Sequence, residues 1–165
     1  MKKKVICWIL LLLWAGVIFY FSAQPATESD NSSISFSYKF FSMFGFFSML
    51  SESGKMEFIQ KFHALIRTLA HFSIFGVFGA LSGMLVKCYT EKILFVFKSS
   101  VLISLIYAVF DECHQIFVPG RTFQFSDVVV DFLGAILGCG FICIILIIIK
   151  MFKNIKNKIV KEADI

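Results

Sequence analysis

Asp111, Glu112, His114 and Gln115 fall within one turn and a half of chain, Arg121 follows a Pro-Gly pair, and Asp127 and Asp131 close the stretch YAVFDECHQIFVPGRTFQFSDVVVDFLG. Four of the chain's eleven acids lie in this stretch, residues 107–134. Arg67 and His71, four residues apart, are a further cationic pair. Carboxylates beside imidazoles supply general acids and bases, and guanidinium groups bind phosphate or carboxylate through paired hydrogen bonds. In an enzyme, Asp111 or Glu112 would be the base or nucleophile, and His114 or His71 the acid. No Ser or Cys stands in a recognisable nucleophile setting. Asp111 with His114 (i,i+3) and Asp127 with Asp131 (i,i+4) also form a workable ligand set for a divalent metal. Arg67 and Arg121 nearby argue against adding a dication there.

The elements that must carry these groups are apolar. Hydrophobic residues make up 58% of the chain and charged residues only 16%, against about 25% charged in soluble domains. The net charge of +5 does not point to nucleic acid, because the basic residues flank apolar runs, as expected for orientation in a bilayer. The five cysteines are odd in number, show no CxxC spacing and mostly lie inside apolar runs, where Cys behaves as a small hydrophobe.

The reading is an all-α integral membrane protein, one domain over residues 1–165, with four transmembrane helices near 5–22, 67–87, 93–117 and 128–149. The first run is longer than the 7–15 residues usual in a signal peptide, and bulky Phe21 occupies a position where cleavage wants a small residue. It is therefore expected to be an uncleaved helix. With the N-terminus cytoplasmic, the inner segments hold Lys2, Lys3, Lys4, Lys87, Lys92, Lys98 and five tail lysines. The outer ones hold Lys39, Lys55, Lys61, Arg67 and Arg121. This excess places both termini inside. The basic tail, 150–165, is expected to be a solvated cytoplasmic end. Within the outer segment, 23–66, Phe36, Phe40, Phe44 and Phe47 recur at helical spacing, which suits an amphipathic helix lying in the interface. Phe58, Ile59, Phe62, Leu65 and Ile66 form a second amphipathic face leading into span two. Gly79 with Gly83, and Gly134 with Gly138, form GxxxG pairs expected to pack helices within the chain.

A rise of about 1.5 Å per residue turns the sequence into a depth scale. Counted from the basic residue at each inner end, His71 lies about 24 Å up, Asp111 about 20 Å, His114 about 24 Å and Asp131 about 28 Å. Three spans thus bring polar groups to one level in the outer third of a hydrocarbon layer about 30 Å thick. His63, Arg67 and His71 form one stripe, and Asp111, His114 and Gln115 share a face, with Glu112 offset by about 100°. Intramembrane ionisable groups mark function by default. Asp127 follows Ser126 at a helix start, where a cap and the dipole favour acids. Asp111 and Glu112 approach a helix C-terminus, where the dipole disfavours them.

RTLAHFSIFGVFGAL at 67–81, the string from Tyr107 to Gly138, and FYFSAQP at 19–25 resemble the VanZ-like membrane family. Its hallmark is R-x-x-x-H-F, then D-E-x-H-Q with P-x-R, then D-x-x-x-D before a Gly. The resemblance implies that Arg67, His71, Asp111, Glu112, His114, Gln115, Arg121, Asp127 and Asp131 match family signature positions, and these are the residues expected to bind a ligand. It also implies a bacterial cytoplasmic-membrane setting and low-level resistance to glycopeptide antibiotics, teicoplanin in particular. The Phe/Ser-rich interior of the first outer segment departs from the pattern. The expected partner is a membrane lipid, a lipid-linked envelope precursor or a lipoglycopeptide antibiotic, with no nucleic acid and no cofactor. The alternatives are an intramembrane enzyme acting on a lipid or polyprenyl-phosphate headgroup, and a small proton-coupled transporter. Neither the glycine pairs nor the motifs fix an oligomeric state.

Overall fold

The computed structural model describes residues 2–163, and among these there are six helices and no strand. They are α1 (Lys2–Ser22), α2 (Ala26–Phe41), α3 (Gly45–Ser48), α4 (Glu52–Lys87), α5 (Ile93–Gln115) and α6 (Phe125–Ala163). Helices α1, α4, α5 and α6 are each long and apolar enough to cross a membrane, the composition of a multi-pass membrane protein.

Two of these helices outrun the expected spans. α4 has 36 residues and rises about 54 Å, because the amphipathic segment before Arg67 continues the helix rather than turning into it. Ser51 caps its start, the hydroxyl accepting from the Gly54 amide at 3.2 Å, a common N-terminal device. α6 has 39 residues and carries the helix through the basic tail, whose last two residues lie outside the described ones. The tail is therefore helical over most of its length. The phenylalanine comb is also interrupted. α2 stops at Phe41, Phe44 precedes α3, and Phe47 lies within α3, so the four rings do not share one helix. Phe47 is buried, and Phe41 and Phe58 meet edge to face at 5.0 Å between centroids. This aromatic cluster pins α2 and α3 to the first turns of α4.

α4 and α6 run parallel and pack backbone against backbone. A Cβ added at Gly134 would lie 2.1 Å from the Phe72 carbonyl oxygen, one at Gly138 1.8 Å from that of Gly76, and one at Gly79 2.3 Å from that of Ala135. No side chain fits there, so these positions require glycine. Gly83 differs, since its nearest neighbour is the flexible Ile142 side chain at 3.3 Å. The seam therefore uses Gly76, Gly79, Gly134 and Gly138, a shift of one turn from the expected pairing on α4. Such close approach gives dispersion contacts in place of a hydrophobic drive that lipid cannot supply.

α5 returns antiparallel beside this pair, and α1 lies outside it against α4 and α5. Trp14 Nε1 donates to the Ile74 carbonyl at 2.9 Å, and the Tyr107 hydroxyl donates to the Ala15 carbonyl at 2.7 Å. At one end of the bundle α1 and α5 finish and α6 begins; this end carries the polar groups. At the other end Trp8 Nε1 donates to the Tyr89 hydroxyl at 3.0 Å, and Lys4 lies over the Tyr89 ring.

Candidate functional site

Val118, Pro119, Gly120 and Arg121 make the turn that sets the site. The Arg121 amide donates to the Val118 carbonyl at 3.1 Å, and Gly120 adopts a φ of 76°. Pro followed by a positive-φ Gly is the signature of a type II turn. The turn docks on the segment after α1: the Ala26 amide donates to the Pro119 carbonyl at 3.2 Å, and a Cβ on Gly120 would touch Ala26. The SAQP and PGR strings, far apart in sequence, are thus one contact.

Arg121 fastens that contact. Its Nε donates to the Gln24 carbonyl at 3.0 Å, one terminal nitrogen to the Phe21 carbonyl at 3.3 Å and the other to Gln115 Oε1 at 3.0 Å. Two of these acceptors are carbonyls at or beyond the end of α1, where helix carbonyls lack intrahelical donors. Burial lowers the Arg121 pKa from its ordinary value, and an arginine stays charged in any case.

Gln115 passes the network on to the acids. Its Nε2 donates to Asp111 Oδ2 at 3.1 Å and to Glu112 Oε1 at 3.0 Å. The other Glu112 oxygen accepts the Gln124 backbone amide at 3.0 Å, immediately before α6. Considered on α5 alone, Glu112 stands at a helix end where the dipole disfavours an acid. The carboxylate belongs to the end of α5 but acts at the start of α6, where the dipole favours a negative charge.

Asp131 completes the cluster from the first turns of α6. Its Oδ1 lies 3.3 Å from His71 Nδ1, while Oδ2 is buried without a hydrogen-bond partner. Asp111, Glu112 and Asp131 are all buried, and one oxygen of each lies within 4.8 Å of the others. Two bare charges at that separation repel by about 3.5 kcal/mol at an effective dielectric of 20.

Beside this cluster opens a cavity of about 300 Å³. Arg67, His71, Asp111 and Arg121 are its charged and titratable lining. Ser29, Ser32 and Ser33 of α2 add hydroxyls, and Ile18, Phe21, Phe36, Ile66, Ile74 and Phe75 supply apolar walls.

Other expected members lie elsewhere. His114 packs against Phe19 of α1, ring centroids 4.3 Å apart and the rings tilted by 35°, and makes no hydrogen bond to the acids. On a helical wheel the buried arc runs from Asp111 through Gln115, about 40° on, to Glu112 at about 100°; His114 falls about 60° on the other side of Asp111. Asp127 is half-buried and accepts from the Ser126 hydroxyl at 3.2 Å. The metal set Asp111, His114, Asp127 and Asp131 is therefore not assembled; the grouped acids are Asp111, Glu112 and Asp131. Arg67 faces Asp30 of α2 at 3.5 Å, with His63 3.9 Å from the same carboxylate. The basic stripe is thus split, two members turning to α2 and one to α6. Sequence reading missed Asp30 and the Gln24 and Phe21 carbonyls. The Gln-Pro at 24–25 was the available signal for that docking point, and Asp30 had none beyond being an acid in a polar helix.

Across residues 7–148 the chain matches the family model described as VanZ/LLP1. The chain belongs to the VanZ/LLP1 family. The matched region contains all four apolar helices in whole or large part, and every signature residue from Arg67 to Asp131. No curated protein and no solved structure matches the chain. For this VanZ/LLP1 protein the chemistry must therefore be read from the site itself.

Proposed function

We propose that this VanZ/LLP1 protein binds an amphiphile of the bacterial cell envelope in the cavity between α1, α2 and α4. Its anionic headgroup lies against Arg67 and Arg121, and its chain runs along Phe21, Phe36, Ile74 and Phe75. The single observation that carries this reading is a cavity whose lining combines two guanidinium groups with apolar side chains. Guanidinium forks suit phosphate and carboxylate. Volume helps to choose among partners: about 300 Å³ is the lower limit for drug-sized ligands. It admits a lipid headgroup and the start of its chain, or the acyl tail of a lipoglycopeptide, but not a whole glycopeptide.

The setting is the cytoplasmic membrane with both termini inside. The lysine-rich end of the bundle then faces the cytoplasm and the cavity faces the outer leaflet. Exposed Phe36, Phe40, Phe44 and Phe46 lie at the level of the headgroups, where an amphipathic segment is stable. Binding a lipid-linked envelope precursor there would alter susceptibility to teicoplanin-type antibiotics, as family membership suggests.

The test expresses wild type and Arg67→Gln in a glycopeptide-sensitive host, with membrane amounts matched. Teicoplanin and vancomycin susceptibility are measured together, and lipids co-purifying with each protein are identified by mass spectrometry. A teicoplanin-selective shift and a retained anionic lipid, both lost in Arg67→Gln, are the expected results. Equal susceptibility of wild type and empty vector, with no anionic lipid retained, defeats the proposal.

One observation favours a second reading. His71 faces the same cavity while bonded to Asp131, and such a pair can move a proton at a bound headgroup. Release of phosphate or free headgroup from polyprenyl-phosphate or phospholipid by purified protein would establish an enzyme. Full resistance without turnover would exclude one.

A further inference from the structure

Asp111, Glu112 and Asp131 bring three carboxylates together where no arginine or lysine meets them. Among the described residues, Arg67 pairs with Asp30, while the donors of Arg121 go to Gln115 and two backbone carbonyls. The ion pairs of the described residues include one contact to the cluster, His71 to Asp131. The guanidinium groups that argued against a dication thus make no direct contact with these carboxylates, although both line the adjoining cavity. Three negative charges less at most one from His71 leave two. Asp131 Oδ2, wholly buried and without a donor, is an independent sign that a positive group is missing.

We infer that Asp111, Glu112 and Asp131 form a site for one divalent cation of the hard, oxygen-seeking class. Carboxylate-only donors select Ca²⁺, Mg²⁺ or Mn²⁺ over thiophilic metals. Two oxygens on one ion are separated by at most twice the metal–oxygen distance, about 5.2 Å for Ca²⁺ and about 4.2 Å for Mg²⁺. The oxygens here lie within 4.8 Å of one another, inside the pair limit for Ca²⁺, whereas Mg²⁺ requires every pair to fall within its shorter one. Gln115 holds one oxygen of Asp111 and one of Glu112, and His71 holds one of Asp131, the role outer partners play in orienting metal ligands. Asp111 also lines the cavity, so the ion would present positive charge to an anionic headgroup there. That last role rests on the function proposed above; the binding of the ion does not.

The test uses full-length protein in phosphatidylcholine nanodiscs, stripped with chelator, so that no anionic envelope lipid is present. Radioactive Ca²⁺ binding is measured with Mg²⁺ and Mn²⁺ as competitors, and Tm is followed with and without ion. One Ca²⁺ per chain is expected, weakened at least about tenfold by Asp131→Asn and by Glu112→Gln and unchanged by Asp127→Asn. Loss of a carboxylate ligand typically has at least the effect of losing its outer partner. Ca²⁺ should raise the Tm of wild type and not that of Asp131→Asn. The inference is overturned if wild type binds none of the three ions, or if binding survives both substitutions. It is equally overturned if stripped Asp131→Asn is more stable than wild type and neither responds to ion, because protons then neutralise the cluster. Should a variant fail to insert, the ion dependence of the wild-type Tm decides the matter.

Discussion

Gly138 rests on the carbonyl of Gly76 so closely that a methyl group would land 1.8 Å from that oxygen. Gly138→Ala must therefore push α6 off α4. Overpacking costs about 1–3 kcal/mol, and a backbone obstacle puts this variant at the upper end. Gly140→Ala is the control, because nothing lies within 4 Å of its Cβ position. Unfolding in micelles should show Gly138→Ala destabilised and Gly140→Ala neutral or slightly more stable, since Ala is the better helix former.

Gln115 bonds to Asp111, Glu112 and Arg121 together. Gln115→Leu keeps the bulk and removes all three contacts. A buried group left without its partner costs about 1–3 kcal/mol, so a loss of about 3 kcal/mol is expected for this variant. Gln115→Glu should be worse, since it sets a fourth carboxylate beside Asp111, Glu112 and Asp131. Both are read by thermal unfolding.

His114 should prove dispensable for ligand binding and for any chemistry. Its ring packs against Phe19, so His114→Phe retains the contact and should keep wild-type susceptibility. His71→Phe, which breaks the link to Asp131, should abolish the effect in the same assay. Equal loss from both variants would return His114 to the site.

Cys7 and Cys88 place their sulfurs 3.6 Å apart across α1 and α4. Copper-catalysed oxidation in membranes should join them, giving a faster-migrating species that disappears in Cys7→Ser or Cys88→Ser. Cys113→Ser should leave the product intact, because Cys113 is exposed on α5. Absence of any product would mean that α1 does not pack on α4 in this register.

The four apolar helices were plain in the sequence because each contains a long stretch that is predominantly apolar. The depth scale placed His71, Asp111 and Asp131 at one level, and the glycines on α6 bring α4 close enough for His71 to reach Asp131. What stayed hidden depends on azimuth and on elements without a strong pattern. A step of four residues turns about 40° beyond a full turn, so His63 and His71 differ by about 80° and serve different partners. Asp30 lay on a helix whose polar composition reads as a loop. The length of α4 was obscured because Arg67 marks a plausible membrane edge, yet a helix need not stop where lipid does.

Backbone laid on backbone has no room to slide, so α4 and α6 keep His71 and Asp131 at a fixed separation. The opposite wall of the cavity is built differently. α1 and α2 are tied at this end by the two bonds of Arg121 to the Phe21 and Gln24 carbonyls, the Ala26–Pro119 contact and the half-exposed Arg67–Asp30 pair. Solvent-exposed ion pairs contribute little, so this wall rests on a few discrete hydrogen bonds and is the softer of the two. The protein thus joins a rigid keel to a yielding flank, and a molecule arriving from the bilayer would enter by displacing the flank while the acids stay in place.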